Sequence, residues 1–161
     1  MQSPAPLPLK IADWGRGVWA EKSGYAERTS AGFILFPKPL SYVQFTIHSQ
    51  GGKNHAQWFL NYVNEKNYVR CEISDDGFQA LRLFEGQSPE ILARKKGVAV
   101  SQWYTIRILA RSDGATISLL KGADWEVLGE VAATGLATTK FGFFVPEGQQ
   151  LLVANFSGRA F

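Results

Sequence analysis

At 161 residues the chain is long enough for one domain with a full hydrophobic core, and it needs no disulfide or metal staple. Hydrophobic residues make up 45% and aromatics 13%, with 11 Phe, 5 Trp and 5 Tyr, which excludes a disordered chain. The 17 basic and 14 acidic residues are interspersed, giving +3 overall, and the densest basic run is only Arg94-Lys95-Lys96. That distribution lacks the stripe expected of a nucleic-acid partner, and no apolar run is long enough to insert in a membrane.

Residues 1–12 carry Pro4, Pro6 and Pro8 and read as an extended lead-in, without the charged and apolar segments of a signal peptide. A single β-domain is expected over 13–161. Strands are expected at 18–21 and 32–36, and the clearest follows at 41–48. There Val43, Phe45 and Ile47 alternate with Gln44, Thr46 and His48. Gly51-Gly52-Lys53-Asn54 then turns the chain into 55–63, where Trp58, Leu60 and Tyr62 oppose Gln57, Phe59 and Asn61. After Asn64-Glu65-Lys66-Asn67, the strand 68–73 sets Val69, Cys71 and Ile73 against Tyr68, Arg70 and Glu72. Asp75-Asp76-Gly77 has the composition of a tight hairpin leading to 78–85.

The second half repeats this rhythm. Strands are expected at 103–111, 115–121, 125–131, 140–145 and 150–156, with turns at Ser112-Asp113-Gly114 and Pro146-Glu147-Gly148. Thr134 to Thr139 is a candidate helical turn. About a dozen short strands with hairpin-length connections leave no room for parallel βαβ units and point to an antiparallel sandwich or a barrel. The one cysteine, Cys71, falls among apolar partners and reads as a small buried hydrophobe. Its solitude does not fix the compartment.

The order Trp103-Tyr104-Thr105-Ile106-Arg107-Ile108, then Asp113-Gly114, then Thr116-Ile117-Ser118-Leu119, resembles the back half of concanavalin A-like jelly rolls. Lys140-Phe141-Gly142-Phe143-Phe144-Val145 and Leu152-Val153-Ala154-Asn155-Phe156 are similar to that family's final pair of strands. Residues 42–47 and 68–73 fit its front half, so the resemblance runs from about Trp14 to the C-terminus. Laminin-G-like bacterial modules and 3-keto-disaccharide hydrolase-like domains are the nearest in look. The resemblance implies an all-β, two-sheet antiparallel jelly-roll sandwich. One of its sheets commonly carries a ligand groove on the outward face.

Alternation alone assigns Gln44, His48, Gln57, Asn61, Tyr68, Arg70 and Glu72 to outward positions, and Arg82 is a candidate to join them. Amides, a His, an Arg and Glu, and aromatic rings are the groups a sugar requires: planar donors and acceptors for hydroxyls and a ring for the apolar face. The same set also suits an ordinary solvated sheet face. No catalytic set is identified. The alternating carboxylates of retaining glucanases are missing, and His48-Ser49-Gln50 does not match the His-x-Asn-Pro-Arg strand of galectin-like lectins. Gly15-Arg16-Gly17 lacks the rest of a dinucleotide fingerprint. His48 and His55 flank a glycine turn without a third metal ligand. Asp75-Asp76 is a candidate half of a calcium site, although Asp before Gly is ordinary turn chemistry, and no cofactor is otherwise expected. The tryptophans Trp14, Trp19, Trp103 and Trp125 suit core or edge packing.

The expectation is a non-catalytic, lectin-like carbohydrate-binding module within a larger exported protein, extracellular or periplasmic. The alternatives are a 3-keto-disaccharide hydrolase-like enzyme using Glu72 and His48 as acid and base, and an adhesion module for a protein partner.

Overall fold

The computed structural model describes residues 19–29 and 31–161. The lead-in, Trp14 and Gly15-Arg16-Gly17 lie outside those residues. Among them run thirteen strands and no helix: β1 (Trp19–Lys22), β2 (Tyr25–Arg28), β3 (Gly32–Leu35), β4 (Leu40–Gln50), β5 (Asn54–Asn64), β6 (Asn67–Ser74) and β7 (Gly77–Leu83). The remainder are β8 (Glu90–Lys95), β9 (Tyr104–Arg111), β10 (Gly114–Lys121), β11 (Asp124–Ala132), β12 (Lys140–Val145) and β13 (Gln150–Ala160). The expected helical turn at Thr134 to Thr139 is a single hydrogen-bonded turn, with Thr138 N and Thr139 N both donating to Gly135 O at 3.0 Å.

The strands form two antiparallel sheets packed as a jelly-roll-like sandwich. Sheet A has the order β1-β2-β13-β4-β9-β10-β11, and sheet B has the order β3-β12-β5-β6-β7-β8. Period-2 sequence is the cause, because each strand sends its alternate apolar residues into the space between the sheets. Val43, Phe45 and Ile47 enter from sheet A, and Trp58, Val69, Cys71 and Ile73 enter from sheet B, all essentially without solvent contact. Phe45 is the centre of that contact. Its ring meets Trp58 at 5.7 Å and Phe143 at 5.2 Å, both edge-on, an arrangement worth about 1 kcal/mol per pair beyond burial.

Two features of the topology decide where the polar residues go. First, β4 and β5 are not neighbours. The loop at 51–53 carries the chain from sheet A across to sheet B, so the outward residues of β4 and β5 face opposite sides of the sandwich. Second, β5 is bulged. Phe59 lies opposite Gly142 and Tyr62 opposite Lys140, so Leu60 and Asn61 together oppose the single residue Phe141. Asn61 takes the left-handed φ of 53° that this bulge demands, a conformation asparagine tolerates better than most residues. The bulge reverses the alternation: Asn61 turns in and Tyr62 turns out.

Candidate functional site

The outer face of sheet B carries a ladder of polar residues in direct cross-strand register. Gln57 on β5 is opposite Glu72 on β6, Glu72 is opposite Gln79 on β7, and Gln79 is opposite Arg94 on β8. With strands about 4.8 Å apart, the ladder spans roughly 14 Å. Glu72 is its hub and is almost fully buried. Its Oε1 accepts from Gln79 Nε2, and its Oε2 accepts from Asn54 Nδ2 at 3.0 Å. Arg70 Nε stands 3.3 Å from the same Oε2, off-axis for a hydrogen bond but close enough for an ion pair. Asn54 Nδ2 also donates to Gln57 Oε1 at 3.1 Å. Because a carboxylate only accepts, it orients the amides of Asn54 and Gln79 around it.

One row along, Arg70 lies opposite Phe59 and Leu81, and beyond them stands an aromatic wall. Phe33 sits 5.3 Å from Phe59, 5.1 Å from Tyr68 and 4.8 Å from Phe144, and Tyr62 lies 5.3 Å from Phe59. Gly142 makes this packing feasible. A Cβ there would stand 2.5 Å from Phe59 Cζ and would also collide with the carbonyl of Ile34. The Arg70 guanidinium lies beside Tyr68 on the same side of β6, where the wall meets the ladder. Burial pushes the Tyr68 and Tyr62 phenols above their ordinary range, so both are neutral hydroxyls at physiological pH.

At the other end of the ladder a groove of about 420 Å³ opens between the β6–β7 hairpin and the end of β8, lined by Ser74, Asp76, Gly77, Phe78, Gln79, Arg94 and Lys96. Asp75-Asp76 is the expected two-residue hairpin connection, since Ser74 pairs with Gly77. Asp75 is engaged by His55, whose Nε2 lies 2.6 Å from Oδ1. Among the described residues, no three His, Cys, Asp or Glu side chains converge as metal ligands.

The expected site residues therefore divide. Gln57, Tyr68, Arg70 and Glu72 come together on the outer face of sheet B. Gln44 and His48 are on the outer face of sheet A, behind the core: Gln44 Oε1 accepts from the Tyr42 hydroxyl at 2.7 Å, and the His48 ring packs 5.8 Å from Trp103. Burial is the main cause lowering the His48 pKa, with His55 across the sheet-to-sheet loop adding to it and a backbone bond at Gln102 opposing it. Asn61 points inward through its bulge, donating to Thr134 O at 2.8 Å and Thr139 Oγ1 at 2.9 Å. Arg82 is also on the inward register, opposite Val69, and bonds Asn61 Oδ1 at 2.7 Å. Both residues clamp the end of the sandwich.

Asn54, Gln79, Arg94, Phe33 and Phe144 were not singled out by alternation. Gln79 carried a usable signal, since it alternates with Phe78 in a strand next to Glu72. Arg94 was obscured by the basic run that reads as solvated surface. Cys71 is fully buried, and its thiol is pushed up by burial, the behaviour of a core residue.

No protein-family model matches the chain, and no curated protein matches it. Solved structures do. The carbohydrate binding module CBM66 from Bacillus subtilis superposes with a TM-score of 0.66 at 19% identity, over 92% of this chain and 96% of that one. A candidate glycosyl hydrolase from Parabacteroides distasonis superposes with a TM-score of 0.68 at 14% identity, over 99% of this chain and all of the other. The GH43 protein BlXynB from Bacillus licheniformis gives 0.66 at 14% identity, and there the match takes in 89% of this chain but only 34% of that protein. At these identities the likeness establishes the fold.

Proposed function

We propose that the chain is a carbohydrate-binding module whose ligand lies along the outer face of sheet B. The observation that carries this reading is the Gln57–Glu72–Gln79–Arg94 ladder, fixed in register beside an aromatic wall. Side chains held by one another keep their geometry without a ligand, so little order is lost when a sugar docks. Arg70, Arg94 and the Gln57 amide supply planar donors for hydroxyl groups, and Tyr68 with Phe33 and Phe144 supplies an apolar surface for a pyranose face. The neighbours agree in kind: one is named as a carbohydrate-binding module and others as glycosyl hydrolases.

Binding is favoured over hydrolysis by the placement of the acidic groups. Glycoside cleavage needs two carboxyl groups flanking one bond, with a proton free to move. Both oxygens of Glu72 accept from amides, one is also ion-paired with Arg70, and His48 stands on the other sheet, so the pair cannot act on one glycosidic bond. The natural setting for such a module is a larger exported protein, outside the cell or in the periplasm.

The test is a glycan array on the purified domain, with and without a calcium chelator, repeated with Arg70→Ala. Selective binding that survives the chelator and disappears in Arg70→Ala is expected. Silence across a broad array from a folded sample would contradict the proposal and favour a protein ligand.

A further inference from the structure

We infer that the ligand of this face is an anionic sugar, bearing a carboxylate or a sulfate ester, an inference that rests on the binding role proposed above. The balance of donors and acceptors left free along the ladder favours an anion. A sugar hydroxyl both donates and accepts, so a site built for neutral sugars pairs its donors with open acceptors. Here each side-chain oxygen of Gln57, Glu72 and Gln79 already accepts from a neighbour. Glu72 uses Oε1 on Gln79 and Oε2 on Asn54 and Arg70. Gln57 Oε1 is taken by Asn54, and Gln79 Oε1 faces Arg94 Nη2 at 3.5 Å.

What remains open is mainly donors. With its oxygen committed to Asn54, the largely buried Gln57 amide turns its NH₂ group away from that partner. Arg70 keeps donor capacity beyond its ion pair with Glu72 because its guanidinium carries five N–H groups. Arg94 and Lys96 are exposed at the groove, and neither makes an ion pair with a carboxylate among the described residues. The neighbouring cation Lys95 is committed elsewhere, to Glu126 Oε1 at 3.2 Å. The groove and ladder thus hold Arg70, Arg94 and Lys96 against Glu72 and Asp76. Of those two acids, Glu72 is buried with both oxygens engaged, and Asp76 is exposed at the rim. A carboxylate or sulfate docking between Gln79 and Lys96 would meet Arg94 as a planar fork, the geometry in which guanidinium groups hold oxyanions best.

The experiment is calorimetric titration of the intact domain with oligogalacturonate, glucuronoxylan oligosaccharides and sulfated galactan oligosaccharides, each beside its neutral counterpart (the methyl ester or the desulfated sugar). The charged form should bind about tenfold more tightly than its neutral counterpart, and Arg94→Ala should remove that preference. Arg159→Ala, which deletes a cation from an exposed position on sheet A, should leave it intact. The carboxylated and sulfated arms identify which anion is read. Equal affinity for charged and neutral forms overturns this inference while leaving sugar binding standing. Equal losses in Arg94→Ala and Arg159→Ala overturn it by showing diffuse attraction to a basic protein. Failure to bind any of these sugars or any glycan on the array removes the binding role itself.

Discussion

Arg70 and Glu72 project from the same side of β6, with Arg70 Nε 3.3 Å from Glu72 Oε2, and the two residues contribute differently. Glu72 is almost fully buried and holds three partners, whereas Arg70 keeps nearly a third of its side chain in solvent. The carboxylate organises the face, and the guanidinium presents it.

That asymmetry separates stability from binding. Glu72→Gln should lower the unfolding free energy by about 1–3 kcal/mol, since it removes the charge that Asn54, Gln79 and Arg70 share. Arg70→Ala should cost about 1 kcal/mol or less, because its ion pair is partly solvated and Glu72 retains two amide donors. Urea unfolding followed by tryptophan fluorescence measures both. A larger loss in Arg70→Ala would reverse the assigned roles.

Gly142 lies where β3, β12 and the Phe59 ring crowd together. Gly142→Ala should destabilise the domain by about 2 kcal/mol or more, because the added methyl meets both a ring and a backbone carbonyl that cannot both move aside. Thermal unfolding would show it as a clear drop in Tm. An unchanged Tm would contradict the close packing of Phe59 against β12.

Cys71 should resist thiol reagents in the native state at mildly alkaline pH and react fully once urea unfolds the chain, because burial disfavours its thiolate. Cys71→Ser should cost about 1–3 kcal/mol by placing a hydroxyl among apolar neighbours. Rapid labelling of folded protein would contradict the burial.

His48 adds a pH dependence with a defined sign. Its folded pKa lies below the ordinary 6.5, so the unfolded chain binds the proton more readily. Its contribution is therefore complete above the unfolded value and is lost as pH falls through the folded one. Unfolding free energy should begin to drop as pH falls below about 7.5, one unit above the ordinary value, and His48→Gln should flatten that slope. An identical slope in the variant would exclude His48 as its source.

The fold was legible because Val43, Phe45 and Ile47, and later Val69, Cys71 and Ile73, alternate without interruption, and buried alternation dictates strand and face. Two strands escaped. Tyr25–Arg28 is four residues long, and Glu90–Lys95 is an edge strand whose charges mask its pairing with β7. Half of the candidate face was legible for the same reason as the fold. The rest failed on two physical grounds. Alternation tells inside from outside but not one sheet from the other, so Gln44 and His48 were grouped with residues on the far side of the core. It also breaks at a bulge, and Asn61 marks the position where inside and outside exchange. Asparagine within the otherwise apolar run 58–63 is a faint sign of such a break.

The most direct test of the account is to titrate the ¹⁵N-labelled domain with the glycan selected by the array and map the amide shifts. The expected result is a contiguous patch over Gln57, Arg70, Glu72, Gln79 and Arg94, with Gln44 and His48 unmoved. Shifts concentrated at Gln44, His48 and Trp103 would place the ligand on sheet A and contradict the assignment of the binding face.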